Sequence, residues 1–276
     1  MSFLCCCCSK HLPAGSDLEQ QLVTGTDDGP QSLSVFAAMW CRSSYDFALE
    51  CTCEQIGARK QKTFCWVRRA ASSEGSSVSS WFSWFGGGTP RLVLSVNVCS
   101  VGLHDKYHLE RALALSASNP ALVPILASDF PRPDRAVVVR QWSAAGSLRD
   151  VLHGASPHLS LHAKYDRVGT PLSEAKCVSF ACALLDTLLV IRPLGARACL
   201  HVHCGNIFLD EADGHTPRLA EWEQGLLGQP SHLADIVNDL QRALEPAAAV
   251  LALCLYEVAT GFELDGLPAV FPPHCS

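Results

Sequence analysis

Leu200-His201-Val202-His203-Cys204-Gly205-Asn206-Ile207-Phe208-Leu209-Asp210, followed by Arg218-Leu219-Ala220-Glu221-Trp222-Glu223-Gln224-Gly225, decides how this 276-residue chain is read. The first stretch is a short loop ending in Asn206, and the apolar run after it predicts a brief strand. A turn then leads to a second strand tipped by Glu221. Upstream, Thr170-Pro171 opens a long helix with proline at its first position. Val178, Cys182, Leu185 and Leu189 recur along it at helical spacing and mark one apolar face. Farther back, Gly146-Ser147-Leu148 leaves a strand, and Ser147 is placed to cap the helix that follows. Downstream, the apolar run Ala247 to Phe262 contains Tyr256 and Glu257 and is too short to span a bilayer. It reads as a buried helix.

The spacing of loop, strand, turn and acid resembles the frame with which protein kinases hold a metal-bound nucleotide. In their H-R-D-L-x-x-x-N loop the base aspartate stands five residues before the asparagine, and D-F-G supplies a second metal ligand. Placing Asn206 on that asparagine puts His201 at the base position and Glu221 at the D-F-G aspartate. Asn206 and Glu221 are then the candidate ligands for nucleotide and Mg. His201, with its near-neutral reference pKa, is a candidate proton acceptor. The alternative for His201 is a filler that orients the loop. His203 falls where kinases often carry lysine. Glu223 replaces the D-F-G glycine and brings a second negative charge toward the phosphates, which repels ATP unless cations intervene. Trp222 replaces the phenylalanine and is expected to pack against the N-lobe helix. Ala247 stands where the central C-lobe helix normally begins with an aspartate.

The preceding hundred residues fit the N-lobe of the same fold. Phe47 to Glu54 and Lys62 to Arg68 are β-rich and roughly alternating around Ile56-Gly57-Ala58-Arg59-Lys60, a strand–turn–strand. A working kinase has a bare G-x-G-x-x-G turn there. Here Gly57 is the single glycine, and Arg59 and Lys60 follow it. Cys51 and Cys53 share a strand face and read as a small apolar pair. Residues 71–90 are Ser- and Gly-rich, with Trp81, Phe82, Trp84 and Phe85 embedded, and look like an inserted loop. Arg91 to Val98 is a strand in which Val93 faces the nucleotide position and Ser95 occupies the place of the phosphate-binding lysine. A hydroxyl does not replace that cation. A helix from His104 to Ser118 offers Glu110 at the usual place of the lysine's partner. Two more strands, Leu122 to Leu126 and Ala136 to Arg140, complete the lobe.

Composition excludes other classes. The net charge of −6 advertises no basic surface for nucleic acid. Fifteen cysteines at irregular spacing and in odd number read as reduced thiols of a cytoplasmic protein, with no secretory leader in front of them. Residues 1–40 carry Gly, Ser, Asp and Gln with little periodicity and predict a poorly ordered tail. Within it, Cys5, Cys6, Cys7 and Cys8 form a candidate S-acylation cluster for peripheral membrane attachment.

Further motifs narrow the likeness. Gly146-Ser147-Leu148-Arg149-Asp150, Gly154-Ala155 with Lys164-Tyr165, the His201–Asn206 loop and Gln224-Gly225-Leu226-Leu227-Gly228-Gln229-Pro230-Ser231 resemble one small group. It comprises the PX-domain-containing protein kinase-like proteins and the slowpoke potassium-channel-binding proteins. The similarity is strongest from about Arg140 to Gly261, and the last motif is the most specific. No PX domain precedes it, so the channel-binding branch is the nearer likeness. The resemblance implies an α+β, two-lobed kinase-like fold. The expected boundaries are a tail at 1–40, an N-lobe at 41–141 and a partial C-lobe at 142–276, abbreviated by the helices that kinases add beyond this point. It also implies a catalytically impaired binding, scaffold or regulatory protein whose partner is a potassium channel or another membrane protein. No cofactor is required. The alternatives are a weak protein kinase using ATP and Mg, and an acylated membrane-tethered adaptor.

Overall fold

The computed structural model describes residues 30–44, 46–53, 62–70, 91–99, 103–143, 145–156, 159, 161–165, 168–210, 216–240 and 245–264. Gly57, the 71–90 insertion and the Cys5 to Cys8 cluster lie outside these residues.

The first element corrects an expectation. Residues 30–40, assigned to the tail, belong to helix α1 (Pro30–Ser44). Leu33, Phe36, Ala37, Trp40 and Cys41 recur at helical spacing, and all five are buried. They pack on one face of a five-stranded antiparallel sheet, against Cys65, Val67, Leu92, Leu94, Val96, Val137 and Val139. Trp40 Nε1 donates to Asp129 Oδ2 at 2.8 Å and fixes the helix against the sheet edge. The polar residues around this stripe had hidden its period.

The sheet consists of β1 (Phe47–Cys53), β2 (Lys62–Arg69), β3 (Arg91–Val98), β4 (Ile125–Arg132) and β5 (Arg135–Trp142), in the order β1-β2-β3-β5-β4. Helix α2 (Leu103–Ser118) lies between β3 and β4 in sequence, and Glu110 on it is exposed. The strand foreseen at Leu122 to Leu126 starts later, at Ile125, because Leu122 is drawn into a parallel bridge with Leu219. Register decides what the inner face carries. Lys62 pairs with Asn97, Phe64 with Ser95, Trp66 with Val93, Ser95 with Val138, and Val93 with Arg140. Directly opposed residues point to the same side of an antiparallel sheet. Lys62, Phe64, Trp66, Val93, Ser95, Val138 and Arg140 therefore face away from α1, toward the helical part.

That part begins with α3 (Leu148–His153). Ser147 caps it in a reciprocal box with Asp150, as the sequence suggested. After α4 (Leu161–Lys164) comes α5 (Glu174–Ile191), which starts three residues beyond Pro171 with Ser173 as its N-cap. Next are α6 (Ala196–Cys199), the two-stranded β6 (Ile207–Leu209) and β7 (Pro217–Leu219), α7 (Ala234–Leu240) and α8 (Pro246–Thr260). Helix α8 buries Ala247, Ala249, Val250, Leu253, Cys254, Glu257 and Val258, so the apolar C-terminal run is a core helix. Arg149 on α3 reaches Glu257 through Nε at 2.6 Å and Nη2 at 2.8 Å, tying the first helix to the central one.

The orientation of α5 departs from the sequence reading. The buried stripe is Phe180, Leu184, Thr187, Leu188 and Ile191, whereas Val178, Cys182, Leu185 and Leu189 are exposed. The helix is apolar almost all round, so two stripes satisfy the same spacing, and its packing against α8 selects one. Residues 174–194 are also long and apolar enough to cross a membrane, with 28% of that window buried. Here the buried stripe joins the core beneath β6 and β7.

Candidate functional site: the cleft between sheet and helices

The loop before β6 is held by its own backbone. Asn206 Nδ2 donates to the His201 carbonyl at 2.9 Å, and Ala220 N donates to the Asn206 carbonyl at 2.8 Å. These bonds bring the Asn206 backbone beside the end of β7, where Glu221 follows. His201 is buried, with Nε2 3.1 Å from the Gln229 carbonyl, a geometry that suits a proton on Nε2. That nitrogen is engaged by backbone, which is a loop-orienting arrangement. Gln229 also donates through Nε2 to the Val98 carbonyl at the end of β3, and Ser231 Oγ donates to the Leu200 carbonyl. The Gly-Leu-Leu-Gly-Gln-Pro-Ser run thus staples the loop to the sheet. Gly225 at its start is pressed against the backbone of Arg197 and Ala198, where a Cβ has no room. His203 is buried, its ring edge-on to His232 at 4.3 Å.

Ser95 sits on the inner face, fully buried, its Oγ 3.4 Å from the Val138 carbonyl. No charge comes from that position. Two cations reach the cleft from other strands. Lys62, diagonal to Ser95 on β2, pairs with Glu221, and Arg140 on β5 pairs with Glu223 and lies 3.6 Å from Glu221. Lys62 Nζ also lies 4.4 Å from the centroid of the Phe64 ring. Glu223 is 0% exposed and Arg140 is 2% exposed. Gln224 Nε2 donates a further hydrogen bond to Glu223 at 3.1 Å. Two cations and two carboxylates therefore neutralise one another in the position where the fold would receive phosphates and metal. Glu223 does not confront an incoming phosphate as an open charge, because its carboxylate is turned onto Arg140. Glu221 has φ 62°, the left-handed conformation, and is the one non-glycine with positive φ among the described residues.

The cleft above Val93 is filled too. Val93 is fully buried with Phe64 and Trp66. Trp66 stands edge-on to Trp142 at 5.9 Å, and Trp142 stands edge-on to Phe208 at 5.0 Å. These three rings run from the inner face of the sheet to β6. Trp222 is completely buried in the large core, whose margin includes Leu113 and Leu115 of α2. Lys62, Arg140, Trp142 and Phe208 were missed as site residues. Their alternation within strands was visible, but their common side depends on register between strands far apart in sequence.

Solved structures place the architecture. The Cydia pomonella granulovirus kinase matches 83% of this chain and 76% of its own, with a TM-score of 0.50 and 10% identity. Rad53 in complex with AMP-PNP matches 79% of this chain and 49% of its own, with a TM-score of 0.50 and 12% identity. The fold is that of a protein kinase. No family model matches the chain. Among curated proteins, it is 27% identical over 157 residues to the "Probable inactive serine/threonine-protein kinase slob2" of Dictyostelium discoideum. It is 28% identical over 156 residues to the slowpoke-binding protein of Drosophila melanogaster. It is 29% identical over 150 residues to the mouse PX domain-containing protein kinase-like protein. The chain is a relative of these kinase-like proteins. The matches cover 55%, 54% and 51% of this chain and span 26%, 29% and 25% of the three relatives.

Burial pulls the Lys62 ammonium of this kinase-like chain down to about 8, with Glu221 opposing the shift. The unfolded chain then binds more protons at this site between pH 8 and 10.5, so Lys62 adds stability as pH rises through that window and loses it as pH falls through 8. The thiols of Cys41, Cys99 and Cys199, pushed up to about 11 by burial, act in the opposite sense. The useful quantity is therefore wild type minus Lys62→Met in urea denaturation. That difference should move in favour of wild type across the window, and a flat difference would mean that Lys62 titrates normally.

Proposed function

We propose that this chain is a noncatalytic kinase-like module that binds and regulates a protein partner in the cytoplasm. The cytoplasmic portion of a slowpoke-type potassium channel is the first candidate. One observation carries the noncatalytic part: the cleft is occupied by its own side chains, with aromatic rings toward β6 and a closed ion-pair cluster beside Asn206. Phosphoryl transfer depends on positioned metal and phosphates and on a group that orients the attacking hydroxyl. Here the carboxylate at the metal position is paired with Lys62 and Arg140, and His201 Nε2 is engaged by the Gln229 carbonyl. The name of the Drosophila relative, slowpoke-binding protein, supports the partner class, and that of the Dictyostelium relative, a probable inactive kinase, supports the noncatalytic part.

Lys62 favours a second reading, a slow protein kinase. In that reading Lys62 takes over from Ser95 as the phosphate-binding cation, and Asn206 and Glu221 hold Mg. The readings separate in two measurements. Purified chain incubated with labelled ATP and Mg is expected to transfer no phosphate to itself or to a general protein substrate. Metal-dependent transfer that disappears in Asn206→Ala would establish the enzyme instead. In parallel, the purified channel domain immobilised on a sensor surface should bind the chain equally well with and without ATP. Absence of binding there would remove the channel as the partner.

A further inference from the structure

The ion-pair cluster is unevenly built. Glu223 is wholly enclosed and fixed by Arg140 and Gln224, whereas the Glu221 side chain is 15% exposed and sits on a left-handed backbone. Arg140 Nε and Glu223 Oε2 are buried without a hydrogen-bond partner among the described residues, so the cluster retains polar capacity that its members do not use. Removing Glu221 from the set leaves Lys62, Arg140 and Glu223, a net positive charge on the inner face of the sheet. An anion with several oxygens, such as a phosphate chain, has the chemistry to satisfy both cations at once.

We propose that Glu221 is an internal stand-in for a phosphate group, and that the cleft is a latent, metal-independent site for oligophosphate anions. The anion enters by displacing the Glu221 carboxylate from Lys62 and Arg140. This inference rests on the noncatalytic reading above, because a site gated by its own carboxylate has no metal ligand to spare. It also differs from a nucleotide site in its selectivity. The rings of Trp66, Trp142 and Phe208 fill the space toward β6, so the anion is recognised without a base, and inorganic triphosphate should bind as well as ATP.

The test uses the full chain and inorganic triphosphate in EDTA, followed by calorimetry and by thermal shift. Wild type should bind weakly. Glu221→Gln should bind on the order of tenfold or more tightly, since a like charge has left the site. The double variant Lys62→Met with Glu221→Gln should lose that gain. Glu221→Gly provides a second route, because it removes the carboxylate and suits the positive φ, so it stays folded if the glutamine variant does not. ATP should match triphosphate, and added Mg should not tighten either. A folded Glu221 variant with no gain for triphosphate sinks the latch while leaving the noncatalytic reading standing. Wild-type binding that appears only with Mg and is lost in Glu221→Gln sinks both.

Discussion

Arg140→Ala lowers folding stability by about 3–5 kcal/mol, the cost of leaving buried charge without its partner. Arg140 is enclosed on the inner face of the sheet, and Glu223, its partner, has no exposure at all. Removing the guanidinium leaves that buried carboxylate with the Gln224 amide as its remaining hydrogen-bond partner among the described residues. Glu221 keeps Lys62 and suffers less. The asymmetry predicts partial rescue: Arg140→Met combined with Glu223→Gln should recover much of the loss, because a neutral pair replaces an orphaned ion. Urea denaturation monitored by tryptophan fluorescence gives the values. A loss under about 1 kcal/mol would place the cluster in the range of solvated surface pairs, and the account of a sealed cleft would fail.

Trp222→Ala should cost a similar amount, about 3–5 kcal/mol, through the cavity it leaves in the main core. Trp222→Phe should behave quite differently. The indole Nε1 is buried with no hydrogen-bond partner among the described residues. Phenylalanine removes that unsatisfied donor while keeping most of the ring, so the two effects offset and the net change should stay below about 1.5 kcal/mol. Thermal melts of the two variants side by side decide it. If Phe proves as damaging as Ala, the indole makes a polar contact that stabilises the turn after β7.

The exposed stripe of α5 shows where reading from spacing fails. Val178, Cys182, Leu185 and Leu189 keep helical period, as do Phe180, Leu184, Leu188 and Ile191. An amphipathic helix names its buried side through the polar residues opposite, and this helix has too few. In α1 the stripe runs from Leu33 to Cys41, and the polar residues before and after it mask its period in the composition of the segment.

What the sequence determined by itself was local and short in range. Strand alternation from Phe47 to Trp142, the Ser147 cap, the apolar α8 and the loop–strand–turn–strand spacing around Asn206 were all legible, and together they pointed to the kinase fold. Each depends on residues within a few positions of one another. What only the tertiary structure decided was which charges meet. Ser95 announced a missing cation, yet strand register carried Lys62 and Arg140 to the same face, and the turn after β7 delivered Glu221 and Glu223 to them. Those partners lie 159 and 83 residues apart in the chain. The pairing follows from the geometry of a folded sheet against a folded loop, and nothing in the spacing of either segment alone specifies it.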